Sequence, residues 1–155
     1  MDSPHKPKQS HVVSLGREHE RERLRLLHGL GQSFCSTIKA SRTVSWTAGA
    51  FIGDDLRGLV EIHDFGDPRL WTLSLVVEPA WRRRGLGTAL LEVAVSFAKG
   101  SDRTTLRLIF SRRNWAMRQL ALKANARLDI VLEDLWADIS LSTIVGYLDQ
   151  QGRAS

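Results

Sequence analysis

One cysteine, one tyrosine and four prolines are all that this 155-residue chain holds of three informative residue types. Cys35 cannot close an internal disulfide, and without a second thiol or a close histidine pair it offers no metal-ligand spacing. No metal is therefore expected, and Cys35 reads as a small buried hydrophobe. No apolar run approaches the roughly 18 residues of a membrane span. The segment Met1 to Ser10 carries charges and prolines where a signal peptide needs an apolar stretch. These absences lead us to expect a cytoplasmic protein with no membrane partner. The Gly-Lys-Ser/Thr of a Walker loop, the serine elbow and the zinc-binding helix motif are missing as well.

What is present is the composition of one soluble domain, 43% hydrophobic and 25% charged. Residues 1–11, rich in Pro, Lys and Ser, read as a loose tail, 12–142 as the folded domain and 143–155 as a C-terminal tail. The net charge is +5 and unevenly spread: Arg82 to Arg127 holds nine Arg and two Lys against Glu92 and Asp102, a local +9 that leaves −4 for the rest. A polyanionic ligand fits that half. Aromatic residues do not alternate with the basic ones as a base-stacking platform requires, so no nucleic-acid partner is expected.

Apolar periodicity predicts a helix over Glu18 to Leu30, a weaker one over Ser33 to Ala40, and strands at Val44 to Ile52 and Leu56 to Phe65 joined by Gly53-Asp54-Asp55. A strand at Leu70 to Val77 follows, apolar enough at its end to be covered on both faces. Thr88 to Lys99 carries Leu90, Leu91, Ala94, Phe97 and Ala98 on one broad stripe and stops at Gly100. A strand at Thr104 to Ser111, a helix capped by Asn114, and closing strands at Leu128 to Leu132 and Leu135 to Leu141 complete the pattern. That order implies an α/β fold (α+β mixed sheet) with helices on both faces. The alternating charges of Arg17 to Arg25 read as a solvated helix face with ion pairs.

The densest chemical signal is the passage from Leu73-Ser74-Leu75-Val76-Val77 through Glu78-Pro79-Ala80-Trp81 into Arg82-Arg83-Arg84-Gly85-Leu86-Gly87-Thr88 and a helix. Glycines let backbone approach an anion, a helix N-terminus offers unpaired N–H groups at its positive end, and arginines add charge-assisted donors. A diphosphate fits such a loop. A dinucleotide fingerprint would need a glycine where Leu90 stands and a tighter turn after the strand.

The run Val-x-Pro-x-Trp-Arg-x-x-Gly-x-Gly-x-Ala-Leu-Leu, with Arg82, Gly85 and Gly87 in the fixed places, resembles the acetyl-CoA motif of the GNAT acetyltransferase superfamily. Asn114 to Ala124 resembles that family's second motif, whose asparagine lies near the thioester and pantetheine. The resemblance spans about Val12 to Leu141 and is densest from Leu70 to Arg127. It implies a central six- to seven-stranded sheet flanked by about four helices, with the fourth and fifth strands splayed. Pantetheine would then pair with the backbone of Leu75, Val76 and Val77, and the pyrophosphate would lie on Arg82 to Thr88. The implied activity is N-acetyl transfer from the cosubstrate acetyl-CoA to an amine acceptor, by direct attack and without a covalent enzyme intermediate.

Many family members carry a tyrosine acid seven residues after the motif asparagine; here that place is Ala121, and the lone Tyr147 lies far downstream. This departure keeps a noncatalytic acyl-CoA sensor in play. For a base, period-two alternation puts Glu61 and His63 on one strand face, against the alternative that both are solvated polar residues there. Ser74 and Glu78 are further candidates. Trp81 reads as packing, Trp115 as cover for either cofactor or core, and Glu133-Asp134 as a turn beside Trp136 that could attract a cation. The acceptor is not identified, and a homodimer stays open.

Overall fold

Seven strands form one sheet: β1 (Ser10–Ser14), β2 (Val44–Ile52), β3 (Asp55–His63), β4 (Leu70–Val77), β5 (Thr105–Ser111), β6 (Arg127–Val131) and β7 (Asp134–Ser140). Their spatial order is β1-β2-β3-β4-β5-β7-β6 in the computed structural model, which describes residues 9–29 and 44–141. Neighbours are antiparallel throughout except β4 and β5, which run parallel and so require a crossover. Helix α2 (Leu86–Lys99) supplies it; α1 (Glu20–Gly29) and α3 (Trp115–Lys123) complete the described helices. The fold is a mixed α/β arrangement, as the element order implies.

Local chemistry accounts for the boundaries. Gly53, at φ 61, turns β2 into β3, where a side chain would be strained. Asn114 accepts a hydrogen bond from the Met117 N–H at 3.1 Å and so starts α3. In α2, Leu86, Leu90, Leu91, Ala94 and Ala98 are buried, and this stripe packs on Val60, Ile62, Leu73, Leu106 and Leu108 of the sheet. The opposite face is covered over β2–β4 by α1, whose Leu26 meets Phe51, Leu56, Leu59 and Val76.

One difference from the sequence reading stands out. The chain enters the sheet at Ser10, inside the stretch 1–11 assigned to a tail, and β1 pairs with β2 from Ser10 against Ile52 to Ser14 against Ala48. Its residues are exposed except Val12, which packs on the core, so backbone pairing with a distant segment is the main thing that holds it. The helix expected over 33–40 lies outside the described residues. No described helix is long and apolar enough to cross a membrane.

Leu90 is fully buried, and a Cβ built on Gly58 of β3 would stand 2.9 Å from its Cδ1, so helix and sheet meet here without space to spare. Leu90→Ala should cost about 2–5 kcal/mol. Urea unfolding checks this, and a loss below 1 kcal/mol would mean that α2 is not the main cover of this face.

Candidate functional site

Pairing between β4 and β5 runs from Leu70 against Thr105 to Leu73 against Leu108 and stops there. Beyond that point β4 stays paired with β3 to Val77, and β5 with β7 to Ser111. The parallel strands therefore part after Leu73, leaving 74–77 without a ladder partner on the β5 side. Buried backbone polar groups need partners, so such a split is a place where a ligand can supply them. A cavity of about 330 Å³ opens there, lined by Leu75, Val76 and Val77 of β4, Trp81, Arg82, Arg83 and Gly85 of the loop, Leu86 to Thr88 of α2, and α3.

The loop is built to leave donors free. Glu78 is tied down by Arg57 at 3.0 Å and Arg25 at 2.8 Å, and Arg82 Nε donates to Val77 O at 3.1 Å. Gly85 sits at φ 82, a conformation that disfavours any side chain, and the space where a Cβ would stand is open. The first α2 bond runs from Ala89 N to Gly85 O at 3.1 Å, and no side chain among the described residues caps the helix. The N–H groups of Leu86, Gly87 and Thr88 thus have no helical acceptor, and they sit at the positive end of a 14-residue helix. Arg82, Arg83 and Arg84 form no ion pair among the described residues. Their charge is uncompensated locally, which suits an anion.

Not every loop residue faces the cavity. Arg84 turns away to stack on Trp81, its Cζ 4.7 Å from the ring centroid, with Arg57 at 4.9 Å on the same indole. Asn114 lines the cavity while capping α3. Met117, Gln119, Leu120 and Lys123 also line it; the sequence reading named only Asn114, although the i, i+3, i+6 spacing of 117, 120 and 123 marks one helix face. Trp115 is 64% exposed with Arg118 over its ring, so it does not cover the core. Ala121, in contrast, is fully buried.

Glu61 and His63 lie elsewhere, on the α1 face of the sheet that Leu59 and Val76 also share. They are not solvated: both are 2% exposed. The Glu61 carboxylate is held by Arg23 Nε at 2.6 Å and by Thr47 Oγ1 at 3.4 Å. Burial alone would lower the Arg23 pKa, but the hydrogen bonds and charges of Glu61 and, to a lesser degree, Glu20 together hold it above its ordinary value. Arg23 was missed from sequence because its partner is 38 residues away, and its surroundings read as a solvated face. His63 Nε2 lies 3.2 Å from Ser74 Oγ, and its Nδ1 has no partner among the described residues. Burial pushes the His63 pKa below its ordinary value; Glu61 opposes that and Arg23 adds to it. Further along this face Arg107 makes a two-point pair with Asp138 at 2.7 and 2.9 Å over the Trp136 ring. The Glu133-Asp134 turn sits where β5 ends, Ser111 pairing with Asp134.

The model of the acetyltransferase (GNAT) family matches residues 11–123. No curated protein matches the sequence. Among solved structures, the GNAT-family acetyltransferase of Streptococcus pneumoniae superposes with a TM-score of 0.69 at 20% identity, over 84% of this chain and 97% of that one. The ribosomal-protein-S18-alanine N-acetyltransferase of Escherichia coli gives 0.70 at 17%, over 86% and 95%. The Salmonella typhimurium protein yncA, solved with its cofactor acetyl-CoA, gives 0.68 at 14%, over 86% and 94%. At these identities the likeness is one of fold.

Arg23→Ala strands the buried Glu61 carboxylate and should cost about 3–5 kcal/mol, whereas Arg23→Met with Glu61→Leu should recover most of the loss. Equal losses from both, by urea unfolding, would show that the pair is not what holds α1 here. His63 is neutral in the fold and takes its proton earlier in the unfolded chain, so stability present above its unfolded pKa, about 6.5, is lost as pH falls through the lower folded value. His63→Gln should flatten that part of the stability curve measured from pH 7 to pH 4.5.

Proposed function

This chain belongs to the GNAT acetyltransferase family, and on that premise we propose that it moves an acetyl group from acetyl-CoA to a primary amine of a small molecule or protein by direct attack. The observation that carries the reading is the split between β4 and β5, with a helix N-terminus at its mouth beside Arg82 and Arg83, which form no ion pair among the described residues. Three features fit acetyl-CoA: an open glycine cradle at Gly85, free amides at Leu86 to Thr88, and a cavity walled by Leu75, Val77 and Leu120 for an uncharged arm. The bound thioester supplies the activated acyl group.

The chain's own residues would do the rest. Arg82, Arg83 and the α2 amides would hold the pyrophosphate, with Arg84 contributing longer-range charge from its place on Trp81. Backbone groups of Leu75, Val76 and Val77 on the side away from β3 would align the arm, and Asn114 would border it. Orientation of two reactants in the gap contributes much of such a rate enhancement. Glu61 and His63 would serve acid–base chemistry from the opposite face. Arg23 already occupies the Glu61 carboxylate, so the acidic residue acts chiefly through its charge on His63.

A second reading, a noncatalytic acyl-CoA sensor, is favoured by one observation: the place of the family's tyrosine acid is a fully buried alanine, Ala121. Thiol release from acetyl-CoA with a panel of amines and peptides, read with mass spectrometry of the products, separates the two. Turnover supports the enzyme; binding without turnover supports the sensor.

Acetyl-CoA at about 100 times its dissociation constant should stabilise the fold by roughly 2.7 kcal/mol, and NAD or ATP much less. Arg82→Glu reverses a phosphate-facing charge. Gly87→Val pushes a branched side chain toward Leu120 and Leu75, whose nearest atoms lie 3.6 and 3.8 Å from a Cβ at that position. Both variants should weaken CoA binding by calorimetry with the fold intact. Wild-type affinity in both would remove the loop from the site.

A further inference from the structure

Ser74 is the first β4 residue past the last pair with β5, at the apex of the split, and its side chain shares a face with Glu61 and His63 rather than with the phosphate loop. It is 6% exposed, and its hydroxyl is hydrogen-bonded to His63 Nε2. We propose that Ser74 Oγ takes a proton from the acceptor ammonium and passes its own to His63 Nε2, so that the two form the proton relay of the acetyl transfer. The proposal rests on the acetyltransfer reading above.

The three polar groups divide the work by their surroundings. The Glu61 carboxylate is engaged by Arg23 and Thr47, so direct proton capture there would break a buried ion pair. His63 is kept neutral by burial, and in the tautomer protonated on Nδ1 its Nε2 lone pair faces Ser74. Once Nε2 is protonated, the Glu61 charge two residues along stabilises the imidazolium, and Arg23 of α1 opposes it. The remaining flank is electrically quiet: Thr72 of β4 stands opposite His63, and Arg107 of β5 beyond it is neutralised by Asp138 of β7. Phe65 stacks on the imidazole, its centroid 6.1 Å away.

The protons balance as follows. The ammonium gives one proton to Ser74, whose own proton moves to His63, and the freed amine forms the N–C bond. The C–S bond breaks with its electron pair on sulfur, and the second proton shed by nitrogen neutralises that thiolate through solvent. His63 returns its proton to bulk before the next turnover.

The test uses the full chain, acetyl-CoA and the amine of highest turnover in the panel, with kcat/KM followed from pH 4.5 to 9 for wild type, His63→Gln, Ser74→Ala and Ser74→Thr. Wild type should lose rate on the acid side as His63 protonates. His63→Gln and Ser74→Ala should be slower by about 10²- to 10⁴-fold near neutrality, with the gap closing as free amine becomes abundant. Ser74→Thr, which keeps the hydroxyl, should recover most of the rate. CoA affinity by calorimetry should not change. A loss that is uniform across pH, or no loss, with CoA binding and wild-type turnover intact, overturns the relay alone. Absence of turnover with every amine while CoA still binds overturns the relay together with the transferase reading. Loss of CoA binding in wild type overturns the cleft assignment itself.

Discussion

Strands β4 and β5 stay together for only four register pairs, and the rest of the molecule is arranged around what happens when they part. A parallel pair needs a crossover, so the parting of the strands lies beside the N-terminus of the helix that connects them. One geometric event therefore brings three things to one place: unpaired strand backbone, unpaired helix amides, and a gap through the sheet. The outer strands keep the split from healing, because β3 holds β4 to Val77 and β7 holds β5 to Ser111.

The gap separates two unlike environments. The α2 side is apolar apart from its arginine loop, packed with Leu75, Val77 and Leu120 around Gly87. The α1 side buries Glu61, His63, Thr72 and Ser74, an expensive set that persists because the charges are paired and most of the polar atoms are bonded. Arg23 is the link that makes this tolerable. Through it α1 is attached to β3 by a charged contact as well as by Leu26.

Much of this was legible in the chain and some was not, for identifiable reasons. The loop could be found because its chemistry is local: strand, arginines, two glycines and helix follow one another within 15 residues, Leu73 to Gly87. The bounds of β2 and β4 match because Val44 to Ile52 and Leu70 to Val77 are apolar runs closed by turn residues. Strand β1 escaped because Ser10–Ser14 has little apolar content and gains its structure from β2, some 40 residues on. The burial of Glu61 and His63 escaped for a related reason. Period-two alternation puts them on one face but does not say that α1 covers it, and the Arg23 contact depends on a fold that no local window contains.

The arginines in and beside the mouth of the cleft also bear on kinetics. Arg82, Arg83 and Arg84, which form no ion pair among the described residues, project a positive potential into solvent, which draws anions toward the opening before any contact forms. At physiological ionic strength that field fades over about 8 Å, so salt slows capture. The amides of Leu86 to Thr88 act at contact distance inside the gap and are screened far less. Ionic strength should thus act mainly on how fast an anionic ligand arrives and only weakly on how long it stays.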